Sequence, residues 1–141
     1  MPPFEVLSVP AALVAELVAH ARTCVPLECC GLLAGRIAGG TARALARYAV
    51  GNDAASATAY ATNPRDMLRA FRAMRESGLE LLAIYHSHPA SPPVPSARDI
   101  AENTYGETVA HLIVSLAVPV PEVRAWWLAP NGAREADLRL A

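Results

Sequence analysis

Leu79-Glu80-Leu81-Leu82-Ala83-Ile84-Tyr85-His86-Ser87-His88-Pro89 is the stretch whose reading decides the fold. The apolar run Leu79 to Tyr85 predicts a buried strand that ends in the two histidines. Side chains two apart on a strand share a face, so His86 and His88 project together from its end. That spacing suits two nitrogen ligands of one metal ion. Ser96 and Asp99 follow within the same fourteen positions, and Asp99 can supply an oxygen ligand from the next element. Two histidines and one carboxylate leave a tetrahedral position open, which distinguishes catalytic zinc sites from closed structural ones. The stretch therefore points first to a zinc hydrolase.

Each residue also has a plainer role open to it. Ser96-Ala97-Arg98-Asp99 fits a capping box, with Ser96 at the helix N-cap and an acid three residues on. An aspartate engaged by the Ser96 backbone N–H is a poorer ligand, so the two roles are compatible only in part. The proline-rich Ala90 to Pro95 reads as a stiff loop, which lowers the entropy its flanking ligands lose when they are ordered. Hydrolysis also needs a general base. Glu28, just before the apolar Gly31-Leu32-Leu33-Ala34-Gly35, can serve.

Glu28, then His86-Ser87-His88-Pro89, seven residues between His88 and Ser96, and Asp99 three further on together resemble the JAMM (MPN-plus) metalloprotease family. Glu28-Cys29-Cys30-Gly31-Leu32-Leu33 is similar to that family's Glu-x-Cys-Gly-Leu-Leu segment. The resemblance covers almost the whole chain and implies its small prokaryotic single-domain branch, over residues 1–141. It implies zinc, one ion per chain, held by His86, His88 and Asp99, with Glu28 as the base and Ser96 polarising the scissile carbonyl. It implies an isopeptidase acting after the C-terminal Gly-Gly of a ubiquitin-like or sulfur-carrier β-grasp protein. The Gly51–Thr62 loop is the expected contact with that carrier's tail. The implied fold is an α/β sandwich of the cytidine-deaminase type, a mixed sheet flanked by helices.

Composition sets further bounds. At 141 residues with net charge −1, the chain fits one domain with a real core. No apolar stretch approaches the roughly 20 residues of a spanning helix, and no basic run forms a nucleic-acid footprint. Met1-Pro2-Pro3-Phe4-Glu5 has no basic region or cleavage site, so a secretory signal is not expected. Three cysteines, an odd and sparse set, suit a reducing cytoplasm. Cys30 is expected to be a buried, inert thiol rather than a nucleophile. Arg65, Arg69, Arg72 and Arg75 recur at helical spacing and read as a solvated face. Trp126 and Trp127 must face opposite ways, one into the core, the other a hint of a homodimer. His20 and His111 fit no ligand spacing and are expected at the surface or satisfied in the core.

The elements alternate. Strands are expected over Phe4–Val9, Gly31–Ile37, Ala42–Val50, Leu79–His88, His111–Ala117, Glu122–Leu128 and Arg134–Leu140. Helices are expected over Pro10–Thr23, Pro64–Glu76 and Ser96 to about Tyr105. Gly39-Gly40 marks a hairpin, Asn63 a helix cap and Gly78 a helix exit. Two other function classes remain in view. One is a non-catalytic binding module in which zinc only staples an MPN-type fold; the open ligand position and Glu28 count against it. The other is a zinc nucleobase deaminase, which requires His-x-Glu and Pro-Cys-x-x-Cys, neither of which occurs.

Overall fold

The computed structural model describes residues 2–141, so Met1 lies outside the described residues. In chain order the elements are β1 (Val6–Val9), α1 (Ala11–Cys24), β2 (Cys30–Ala38), β3 (Thr41–Val50), α2 (Pro64–Ser77), β4 (Glu80–His88), α3 (Ala97–Ala101), β5 (Ala110–Ser115), β6 (Glu122–Ala129), β7 (Gly132–Glu135) and β8 (Asp137–Leu140). The strands form one mixed sheet in the order β7-β6-β5-β4-β2-β3-β1-β8. β4 lies antiparallel to β2 and parallel to β5. It is buried from Leu82 to His88, as its unbroken apolar run requires of a strand covered on both faces.

The two faces carry separate cores. On one, α1 presents Leu13, Leu17 and Ala21 to Leu7, Leu33, Leu112 and Trp127. On the other, α2 presents Ala70 and Met74 to Cys30, Leu32 and Ile84. Local chemistry sets the helix ends. The Asn63 side chain accepts the Asp66 N–H, Pro64 opens the first turn, and Gly78 closes α2 in the left-handed region at φ 68°. Gly39 and Gly40 turn the β2–β3 hairpin at φ 59° and 77°. Gly31 and Gly35 answer close approaches instead: a Cβ would run into the Tyr85 ring at the first and the Arg43 carbonyl at the second.

Four expectations need correction. The third helix stops at Ala101 because the Asn103 side chain captures the Tyr105 N–H and donates to the Gly106 and Leu128 carbonyls, offering the backbone a turn instead. The expected strand Arg134–Leu140 is two strands. Ala136 donates its N–H to the Ala125 carbonyl at 2.8 Å and tucks into the core, so β7 pairs with β6 and β8 pairs with β1 at the far side of the sheet. A sheet whose outermost strands are joined through one residue cannot be flat; it curls around α1. Finally, Pro10 precedes the first helix as its cap residue rather than opening it, and Phe4 sits outside β1, packed on Trp127 with ring centroids 4.9 Å apart.

Candidate metal centre

β4 delivers His86 and His88 on one face, and the start of α3 delivers Asp99. His86 Nε2 and His88 Nε2 are 3.2 Å apart, and Asp99 Oδ2 lies 3.2 Å from the first and 3.3 Å from the second. The three form a group able to hold a metal ion. His88 Nδ1 lies 2.8 Å from the Pro92 carbonyl, which fixes that nitrogen as the N–H and leaves Nε2 as the free donor of an electron pair. The proline-rich loop is itself held by its carbonyls. Ser115 Oγ donates to Ser91 at 2.6 Å, and the Trp126 indole donates to Pro93 at 2.9 Å. Trp127 fills the core while the half-buried Trp126 serves this loop.

The capping box and the ligand set coexist. Ser96 Oγ accepts the Asp99 N–H at 3.0 Å, and Asp99 Oδ2 accepts the Ser96 N–H at 2.9 Å while facing both imidazoles. One carboxylate oxygen thus serves the helix and the histidines together. Because the Ser96 oxygen is already an acceptor, its own proton is directed elsewhere.

Glu28 lies two residues before β2 and is 3% exposed. Its backbone is clamped by the 51–62 loop: the N–H donates to the Ser56 carbonyl at 2.9 Å, and the carbonyl accepts from the Asn52 amide at 3.0 Å. Burial lifts its carboxyl to about 7, with His88 opposing and Asp99 adding to the rise. Asp99 goes the other way: burial resists its ionisation, but hydrogen bonds from His86 and His88 hold it well below the usual carboxylate range. Burial keeps His86 below the ordinary histidine value. For His88 burial is outweighed by Asp99 and the Pro92 carbonyl, and its value rises.

The buried side-chain polar atoms without a partner, among the described residues, are Glu28 Oε1, His86 Nδ1 and both ring nitrogens of His111. All belong to this one region. Unpaired buried groups are rare in folded proteins and concentrate where a ligand or reacting group belongs. Two residues here escaped the sequence reading. Tyr60 stacks on His86, and His111 on β5 is 3% exposed yet unsatisfied, so it fits neither the surface nor the satisfied-core expectation. Burial pushes His111 down to about 4, with His86 adding to the drop. His111 and Asp99 both line a cavity of about 370 Å³. Three further expectations hold. His20 Nδ1 is satisfied by the Tyr85 hydroxyl at 2.7 Å. Cys30 is buried with its thiol pushed up to about 12, and the four α2 arginines are exposed.

The family described as prokaryotic homologs of the JAB domain matches residues 10–129. A Thermus thermophilus protein named as a probable TtuB-protein conjugate cleaving protease is 42% identical over 99 residues, 69% of this chain and 63% of that protein. A Mycobacterium bovis CysO-cysteine peptidase is 37% identical over 109 residues, 77% of this chain and 72% of its own. A desampylase of Haloferax volcanii is 37% identical over 60% of this chain and 63% of its own. The chain thus spans less than two thirds of the length of the first and third of these. In structure it is similar to a Desulfitobacterium hafniense protein solved in solution, with a TM-score of 0.87 and 33% identity, covering 96% of this chain and 92% of that one. No described helix is long and apolar enough to cross a membrane. Motif, sheet and matches agree: the chain belongs to the prokaryotic JAB family, small JAMM proteins built on a mixed α/β sheet.

Proposed function

We propose that the chain is a zinc-dependent protease that cleaves the amide after the C-terminal Gly-Gly of a ubiquitin-like or sulfur-carrier β-grasp protein. That it is a hydrolytic enzyme follows from its family and from relatives named as a conjugate-cleaving protease, a cysteine peptidase and a desampylase. The donor triangle carries the choice of zinc. Atoms about 2.0–2.1 Å from a tetrahedral zinc stand about 3.3–3.4 Å apart, and the three donors here are separated by 3.2, 3.2 and 3.3 Å. His86, His88 and Asp99 would hold the ion and leave one position open.

When bound, zinc lowers the pKa of a water molecule to about 7 and polarises a carbonyl. The remaining work falls to the chain. Glu28, desolvated and without a partner at Oε1, takes the water's proton as the water attacks the amide and returns it to the leaving amine. The free hydroxyl of Ser96 donates a hydrogen bond to the developing oxyanion. Residues 1–141 act as one catalytic domain, and the free thiols Cys24, Cys29 and Cys30 suit the reducing cytoplasm.

Zinc-loaded protein incubated with β-grasp carriers extended beyond Gly-Gly should release the carrier ending in that dipeptide, read by mass spectrometry. Failure to cut any such fusion, with zinc bound, overturns the proposal and leaves the zinc-stapled binding module in its place.

A further inference from the structure

Ser87 stands between the two imidazoles in sequence but on the opposite face of β4, where it is fully buried. Its hydroxyl accepts the Cys29 N–H at 2.8 Å, and its own N–H donates to the Cys29 carbonyl at 3.1 Å. These bonds carry the β2–β4 pairing one step past Cys30 and His86. In a regular antiparallel ladder, two backbones opposed in this way exchange both bonds. Here a side chain stands in for one of the carbonyls, so the hydroxyl sets where the chain before Cys30 leaves the sheet. One step further, the same register sets Glu28 against His88, on the face of the imidazoles. After burial, His88 is the largest influence on the Glu28 carboxyl.

The peptide group between Glu28 and Cys29 is held from both sides. Its N–H meets Ser87, and its carbonyl accepts from the Asn52 amide at 3.0 Å. Asn52 is itself immobile: its amide also donates to the Ala59 carbonyl, and its oxygen accepts the Ala54 and Ala61 N–H groups. A planar group pinned at both ends fixes the Glu28 Cα and the direction in which its side chain leaves.

We infer that Ser87 is the positioning residue of the general base, its hydroxyl holding the Glu28–Cys29 peptide so that the Glu28 carboxyl faces the imidazoles. The inference rests on the proposed function for the role of Glu28. Pointing away from His86 and His88, Ser87 acts through Glu28 and not on the reactants. Alanine at this position leaves the Cys29 N–H buried without its acceptor, and the segment then shifts to find another. A displacement of about 1 Å at a reacting group costs about 100-fold in rate.

Zinc-loaded Ser87→Ala should lose about 10- to 100-fold in kcat on a carrier fusion, with KM and zinc affinity within about twofold of the parent. Ser87→Thr, which keeps the oxygen, should recover most of the loss. Added to Glu28→Gln, Ser87→Ala should cost less than about twofold more, because its effect passes through the carboxylate. An equal loss in both backgrounds, or a parallel fall in zinc affinity, overturns the inference. A readout without turnover comes from carbon-13 titration of the Glu28 carboxyl in the metal-free chain. Its midpoint should fall in Ser87→Ala from about 7 towards the ordinary 4.5, as the freed side chain reaches water, and return in Ser87→Thr. An unchanged midpoint ends the inference. Should Ser87→Ala not fold, Ser87→Cys keeps the bulk but accepts hydrogen bonds weakly, and should show the same pattern in smaller measure. If no carrier is cut, the proposed activity falls, and the carboxyl titration alone decides whether Ser87 holds Glu28 in place.

Discussion

Tyr60 lies over the imidazole of His86, with ring centroids 4.5 Å apart and planes 23° from parallel. The same loop grips Glu28 through Ser56 and Asn52, so one segment orders both an imidazole of the candidate metal centre and the proposed base. Replacing Tyr60 by alanine should weaken zinc binding about fivefold, equivalent to about 1 kcal/mol for an aromatic pair. Tyr60→Phe should bind as the parent does. Competition with a chromophoric chelator measures both.

Glu28→Gln should keep zinc and lose about 100- to 10,000-fold in turnover, whereas His88→Ala and Asp99→Ala should lose both. A second signature comes from proton linkage in the metal-free chain. The Glu28 carboxyl binds its proton more tightly folded, at about 7, than at its ordinary 4.5. Its contribution to stability is complete below the lower value and lost as pH rises through the higher one. Metal-free Glu28→Gln should therefore melt above the parent at about pH 8 and close to it at about pH 4. A thermal melt across that range checks the sign.

Trp126→Phe keeps the bulk of the ring but removes the N–H that holds the Pro93 carbonyl. Release of the proline-rich loop reaches His88 through the Pro92 carbonyl. The expected cost is about 1 kcal/mol in stability and about tenfold in zinc affinity. Ser115→Ala acts on the same loop through Ser91. The double variant should lose less than the sum of the two, measured by urea melts and zinc competition.

Alanine at Gly31 or Gly35 should each destabilise the chain by about 1–3 kcal/mol, because both added methyls meet occupied space. Gly35→Ala should be the worse, since it meets the Arg43 backbone carbonyl rather than a ring that can tilt. Urea midpoints at constant m-value decide the order.

The histidine pair was legible because strand periodicity alone puts His86 and His88 on one face, and Ser96 with Asp99 because the capping pattern places both in one turn. Glu28 stood out as an acid just before an apolar strand, but only the family resemblance tied it to the distant histidines. His111 was hidden in the apolar run His111-Leu112-Ile113-Val114, where a lone histidine reads as core. Only the parallel register of β5 against β4 sets it beside Ile84 and the metal centre. Tyr60 sits in a loop without periodicity. The β7–β8 break was invisible for a related reason: Ala136 continues an acceptable strand, and only its capture by Ala125 sends the two halves to opposite ends of the sheet.

Asp99 Oδ2 is shared between the amide of Ser96 and the two imidazoles, which would make the first turn of α3 and a bound ion thermodynamic partners. By reciprocity, whatever orders that turn tightens the ion, and the ion in turn orders the turn by an equal free energy. A chelator should therefore speed deuterium uptake at the amides of Ser96 and Asp99 ahead of those in β4.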